Sequence, residues 1–146
     1  MDQSLANPPD TSTGPQDQHL LLVDDNQPPL EFLILLLEGE GYRITAATSP
    51  LQAALLAQHT RFDLIVSDVR MPHLSGPQLL LEIRKTAANA QIPAILISGQ
   101  ASIEMSAHPR TSNTHYLRKP FGGTDLLMLI QQTLLPHPVQ SLLQNH

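Results

Sequence analysis

From residue 19 onward, two periods of apolar spacing alternate along the chain. His19–Asp24 is a short apolar run ending in acids and reads as a strand. Pro28–Glu40 carries apolar residues on a helical face and is closed by Gly39 and Gly41. Tyr42–Ala47 alternates as a strand does. Ser49-Pro50 is a helix start, with Ser as the cap and Pro in the first turn, leading into Leu51–Gln58. Asp63–Asp68 predicts a third strand, and Gly76–Lys85 a helix with Leu79, Leu80 and Ile83 on one side. Pro93–Ile97 and Thr114–Leu117 predict two more strands, and Thr124–Leu135 a closing helix. Ala101–Thr114 is a poor helix, because Pro109 interrupts it and Thr111-Ser112-Asn113-Thr114 is turn-like. A short or distorted fourth helix is expected there.

Strands that alternate with helices imply a parallel sheet covered on both faces. Five such units fit in residues 19–135. The expected fold is α/β and doubly wound, of the flavodoxin-like type, with strand order 2-1-3-4-5. Residues 1–18 are rich in Pro, Ser, Thr, Asp and Gln, have almost nothing to bury, and read as a disordered leader. Residues 136–146 read as a short tail, and there is no room for a second domain.

Composition narrows the chemistry. The chain of 146 residues is 41% hydrophobic but only 3% aromatic, so its core must be built from Leu, Ile, Val and Ala. The net charge is -5, of which Asp2, Asp10 and Asp17 lie in the leader, and nothing resembles a nucleic-acid footprint. There is no cysteine, which excludes disulfides, thiol catalysis and Cys-based zinc sites. No apolar run approaches the ~20 residues of a membrane span. Leu30–Leu37 is read as core, and the N-terminus lacks the basic-then-apolar pattern of a signal peptide. A cytoplasmic protein is expected. The seven histidines show no metal-ligand spacing and read as solvated residues.

In open parallel sheets, ligands bind beyond the carboxyl ends of the strands. Here those ends carry Asp24-Asp25, Asp68, Ser98-Gly99 and Lys119-Pro120. Three carboxylates, a hydroxyl and an ammonium thus converge on one rim. At an effective dielectric near 20, each pair of carboxylates ~4 Å apart costs about 4 kcal/mol. A hard divalent cation relieves this, and magnesium suits a site of one or two carboxylates plus phosphate oxygens. Asp68 can act as a nucleophile and form an aspartyl phosphate. Phosphoryl transfer needs positioning and charge neutralisation above all.

The chain resembles the receiver domains of two-component response regulators, over about residues 19–135. The resemblance rests on four motifs in order. Asp68-Val69-Arg70-Met71-Pro72-His73-Leu74-Ser75-Gly76 matches the acceptor Asp, the Met-Pro and the Gly that follow it. Asp24-Asp25 matches the acidic pair. Ser98 matches the Ser/Thr thirty residues beyond the acceptor, and Tyr116-Leu117-Arg118-Lys119-Pro120-Phe121 matches the switch aromatic and the Lys-Pro pair, whose bond is usually cis in this family. The resemblance implies that Asp68 accepts a phosphoryl group from a histidine kinase or histidine phosphotransfer protein. It implies a magnesium or manganese ion held by Asp24, Asp25, Asp68 and the backbone carbonyl of Arg70. It also implies that Ser98 and Lys119 hold phosphoryl oxygens, that Ser98 and Tyr116 switch, and that Gly99 leaves room for the turning aromatic. Arg70 and Gln100 would tune autodephosphorylation.

With no output domain attached, the signal would pass through a partner protein. The Ser75-Gly76-Pro77 and Ile97-Ser98-Gly99 stretches also resemble receivers of hybrid histidine kinases. Two other readings are distinguishable. A phosphatase of the haloacid-dehalogenase type needs a second Asp two residues after the nucleophile, where this chain has Arg70. A receiver-like interaction module that is never phosphorylated would be marked by loss of the acids or the lysine, none of which is lost here, and failure to bind magnesium would favour it. Two departures from the family stand out: Gln27-Pro28-Pro29 at the start of the first helix, and the irregular 101–113 segment.

Overall fold

The structure is a computed structural model and describes residues 17–99 and 113–135. Its strands are β1 (His19–Val23), β2 (Arg43–Ala47), β3 (Leu64–Asp68), β4 (Ala94–Ser98) and β5 (Thr114–Arg118). Its helices are α1 (Gln27–Gly39), α2 (Pro50–His59), α3 (Gly76–Arg84) and α4 (Gly123–Leu134), with a short 3₁₀ turn at Ala87–Asn89. The strands form one parallel sheet in the order β2-β1-β3-β4-β5, as expected. Boundaries agree with the sequence reading to within one residue at most ends. Gln100 and most of the expected distorted helix lie outside the described residues, as do residues 1–16 of the leader and all of the tail.

Burial explains the sheet. Successive side chains on a strand point to opposite faces. Leu20, Leu22, Leu64, Val66, Ile95 and Ile97 pack with Leu30, Leu33 and Leu37 of α1 and Leu126 and Ile130 of α4. Leu21, Val23, Ile65 and Ala94 face the other way, onto Ala53 and Ala57 of α2 and Leu79, Leu80 and Ile83 of α3. Strands buried on both faces must read as continuous apolar runs, as β1, β3 and β4 do. Leu30–Leu37 is core only in part. Leu30, Leu33 and Leu37 are buried, but Phe32 and Leu35 are exposed, because a helix packed on a sheet has only one inner face.

Local chemistry sets the element ends. Ser49 Oγ accepts the N–H of Gln52, and Ser75 and Gln78 form a reciprocal capping box that starts α3. Pro28 and Pro29 fall in the first turn of α1, where a missing N–H costs nothing, so the helix starts normally despite them. At its other end, the N–H of Gly41 donates to the carbonyl of Glu38 and that of Tyr42 to the carbonyl of Leu37. This is a Schellman closure, and Gly41 occupies it at φ 100°.

Two polar anchors, the buried Asn89 and the half-buried Arg84, carried no signal in the sequence. Asn89 Nδ2 donates to the carbonyls of Ala57 (2.9 Å) and Thr60 (3.0 Å), and Asn89 Oδ1 accepts the N–H of Phe62 (2.9 Å). It therefore closes the crossover from α2 into β3. Arg84 donates through two guanidinium nitrogens to the carbonyl of Ile92 and reaches Asn113 Oδ1 and Thr114 Oγ1, tying α3 to the starts of β4 and β5.

Gly41→Ala puts a Cβ into the left-handed region and is expected to cost about 1 kcal/mol. Urea denaturation should show a lower midpoint with an unchanged slope. An unchanged midpoint would contradict the closure described for α1.

Candidate phosphoryl-acceptor site

The parallel sheet brings the strand ends together. β1 is followed by Asp24, whose N–H continues the ladder to the carbonyl of Ala47 at 3.2 Å. Asp24 is buried, and its carboxylate accepts the N–H of Asn26 at 2.9 Å, while Asp25 is exposed. Asp68 ends β3 and is 7% exposed. One carboxylate oxygen from each of Asp24, Asp25 and Asp68 lies within 4.8 Å of the others. Lys119 Nζ stands 3.1 Å from Asp68 Oδ1.

Backbone contacts place these groups. The N–H of Lys119 donates to the carbonyl of Ser98 at 2.8 Å, so the end of β4 sets the position of the lysine. The N–H of Val69 donates to the carbonyl of Ile97 at 2.9 Å, holding the start of the loop after Asp68 against β4. The Lys119-Pro120 bond is cis. Ser98 is buried, and Arg70 and Gly99 are exposed; all three line, with Asp68 and Lys119, a cleft of about 330 Å³. A Cβ on Gly99 would meet nothing within 4 Å. Tyr116 is half-buried on β5, in register with Leu96.

Gly76 has a steric reason that its motif alone does not reveal. Its N–H donates to the carbonyl of Val69 at 2.7 Å, and any Cβ there would collide with the carbonyl oxygen of Asp68. Two further features escaped the sequence reading. Ser67 Oγ donates to the carbonyl of Asp68 at 2.9 Å. An apolar groove of about 360 Å³ also adjoins the acids, walled by Pro29, Phe32, Leu33, Pro120 and Phe121. The exposed Phe32 was the available signal for the groove, but it is hidden within an apolar run.

Electrostatics follow from the crowding. Burial, then the nearby charge of Asp24, push the Asp68 carboxyl up from 3.8 to about 6, with a smaller push from Asp25, while Lys119 opposes the rise. Three hard oxygen donors whose negative charge Lys119 offsets only in part are a set that a divalent cation fits.

A sequence profile described as the response regulator receiver domain matches residues 20–131. The chain belongs to the response regulator receiver family. It is thus a receiver domain of two-component signalling, similar along most of its length to proteins of that class. It is 33% identical to an uncharacterised 14.6 kDa protein of Leptolyngbya boryana, over 82% of this chain and 92% of that one. It is also 33% identical to the transcriptional regulatory protein GlrR of Escherichia coli, over 80% of this chain but only 26% of GlrR. The receiver domain thus spans about a quarter of that longer relative. Among solved structures, the receiver domain of the sensor histidine kinase PA1611 of Pseudomonas aeruginosa superposes with a TM-score of 0.73 at 30% identity, covering 80% of this chain and 97% of that one. That structure has a magnesium ion coordinated in its active-site cleft. The chemotaxis response regulator CheY4 of Vibrio cholerae gives a TM-score of 0.74 at 29% identity, covering 80% of this chain and 98% of that one. Among the described residues, no helix is long and apolar enough to cross a membrane.

The raised pKa of Asp68 makes a signed prediction for the metal-free receiver domain. Between 3.8 and about 6 the folded state binds this proton more tightly than the unfolded state. The stabilisation from this group is therefore complete below the lower value and is lost as pH rises through the upper one. At pH 7 the ionised Asp68 costs up to about 3 kcal/mol. Asp68→Asn should raise the melting temperature of metal-free protein at pH 7 and have little effect at pH 4. A variant less stable than wild type at pH 7 would contradict this.

Proposed function

We propose that this receiver domain accepts a phosphoryl group on Asp68 from a histidine kinase or histidine phosphotransfer protein. The observation that carries this reading is the position of Asp68, buried at the end of β3 with carboxylate oxygens of Asp24 and Asp25 within 4.8 Å and the Lys119 ammonium 3.1 Å away.

A carboxylate oxygen of Asp68 attacks the phosphorus in line. The phosphorus–nitrogen bond to the donor imidazole breaks, and the nitrogen leaves with the electron pair. Lys119 stays in contact with the phosphoryl oxygens, and the buried Ser98 hydroxyl moves to hold another. Asp24, Asp25, Asp68 and the backbone carbonyl of Arg70 would hold a magnesium or manganese ion. Such an ion, when bound, offsets the crowded negative charge that otherwise opposes an approaching phosphate. The backbone hydrogen bonds of Val69 and Lys119 tie the ends of β3 and β5, which carry acceptor and ammonium, to β4 between them, so little reorganisation accompanies transfer. Hydrolysis of the acyl phosphate resets the site, with Arg70 and Gln100 as the residues that set the lifetime.

The apolar groove fits the donor. Phe32 is exposed at 57% beside Pro29, and with Phe121 it leads directly to Asp68 and Lys119. An amphipathic helix presenting a phosphohistidine can lay its apolar face there and place the phosphoryl group at the polar end. Ser98 and Tyr116 then couple the phosphorylated state to the surface of β5. Output passes to a partner protein in the cytoplasm.

Intact mass after incubation with magnesium and acetyl phosphate tests the reading. Wild type should gain one phosphoryl mass only when magnesium is present, and Asp68→Ala should gain none. Lys119→Ala should fold but be phosphorylated ten- to a hundredfold more slowly, the kinetic equivalent of losing one charge-assisted contact. A folded wild type that neither gains mass nor binds beryllofluoride would instead support an interaction module that is not phosphorylated. Phe32→Glu should weaken binding of a protein donor at least tenfold by calorimetry, and undiminished affinity would remove the groove from the docking surface.

A further inference from the structure

One buried hydroxyl interrupts the apolar run of β3. Leu64, Ile65 and Val66 fill the core, and Ser67 follows them at 1% exposure. A buried hydroxyl needs a hydrogen-bond partner. Here that partner is the Asp68 carbonyl, which accepts from Ser67 Oγ at 2.9 Å. The sulfur of Met71 lies 3.9 Å from the same hydroxyl oxygen. A hydroxyl has one hydrogen to give, and the shorter bond to Asp68 takes it, which leaves the sulfur as a packing contact. Ser67 therefore touches the chain on both sides of Arg70, at Asp68 and at Met71.

Backbone bonds pin the same loop elsewhere. The N–H of Val69 donates to the carbonyl of Ile97, and the N–H of Gly76 donates to the carbonyl of Val69. Between them the chain reverses at His73, where φ is 77° and the N–H of Leu74 donates to the carbonyl of Pro72 at 2.9 Å. A three-residue turn with its central residue in the left-handed region is strained when that residue has a side chain. Such a conformation persists only where its surroundings over-determine it. Arg70 and Met71 lie between the bond at Val69 and this turn, and Ser67 adds a side-chain hold on that stretch.

We propose, on the reading that Asp24, Asp25, Asp68 and the Arg70 carbonyl hold a divalent cation, that Ser67 is a positioning residue for that ion. Its hydroxyl fixes the peptide between Asp68 and Val69 and the start of the loop, so the Asp68 carboxylate and the Arg70 carbonyl meet the ion already ordered. Ordering before binding leaves less freedom to lose on binding. The benefit depends on the ion. Magnesium demands a near-ideal octahedron, whereas calcium accepts a flexible shell. Loosening the loop should therefore weaken magnesium more than calcium.

Calorimetric titration of the full chain with magnesium chloride and, separately, with calcium chloride tests this. Ser67→Ala should bind magnesium about three- to tenfold more weakly than wild type, as expected for one lost hydrogen bond, and calcium less than about twofold more weakly. Ser67→Thr and Ser67→Val share one shape and differ in the hydroxyl, so the Thr variant should bind magnesium at least about threefold more tightly than the Val variant. Circular dichroism and a cooperative urea transition establish that each variant is folded. A Ser67→Ala protein that binds magnesium as wild type does overturns the proposal alone. So does an equal loss for both ions, which marks general loosening of the fold. Wild type that binds no magnesium overturns the metal reading itself, and the proposal with it. Should Ser67→Ala fail to fold, the Thr and Val variants decide, and equal magnesium affinities overturn the proposal.

Discussion

Repulsion among Asp24, Asp25 and Asp68 is the constraint on which the rest of this molecule turns. With oxygens within 4.8 Å of one another and the Lys119 ammonium in contact with Asp68 alone among the described ion pairs, the three carboxylates cannot all be comfortable as anions. An unconstrained chain would let them drift apart into water. Here they cannot, because each is attached to the end of a strand whose ladder runs through the middle of the sheet. Hydrogen bonds and apolar burial in β1 and β3 hold the acids in an arrangement that electrostatics alone would reject. The result is a rim of crowded negative charge that a divalent cation fits.

The sheet can bear that cost because the strands that carry the acids are its best-buried elements. Every residue of β3 and β4 is buried, and β1 is buried from Leu20 onward. The loop after Asp68 is held just as firmly. The N–H of Val69 donates to β4, the N–H of Gly76 donates back to Val69, and the absence of a Cβ at Gly76 lets the start of α3 lie directly against the Asp68 carbonyl. The geometry at Asp68 is therefore a property of the core and of one glycine, as much as of the charged groups themselves. The same contact makes α3 the helix most directly joined to Asp68.

Much of this was legible in the chain. The alternation of periods, the Ser-Pro helix starts and the apolar runs of β1, β3 and β4 identified the elements nearly to the residue, because each element's period is set by one buried face. The positions of Asp24-Asp25, Asp68, Ser98 and Lys119 at predicted strand ends were enough to bring them to one rim, since a parallel sheet puts all its carboxyl ends on one edge. Leu30–Leu37 was legible only in part. An apolar run does not say which of its members face the sheet, and Phe32 and Leu35 face away from it.

The sequence by itself therefore determined the order of the elements, the layers they form and the kinds of chemical group that meet at the rim. These follow from periodicity and covalent order, which are local. Tertiary structure decided the rest: that Asp68 is buried with its pKa raised while Asp25 is exposed, that Lys119 reaches Asp68, that Phe32 walls a groove leading to it, and that Asn89 and Arg84 anchor crossovers at the far end of the sheet. Each of these depends on distances between residues far apart in the chain. Such distances are set by how helices pack on the sheet, and no local pattern encodes that packing.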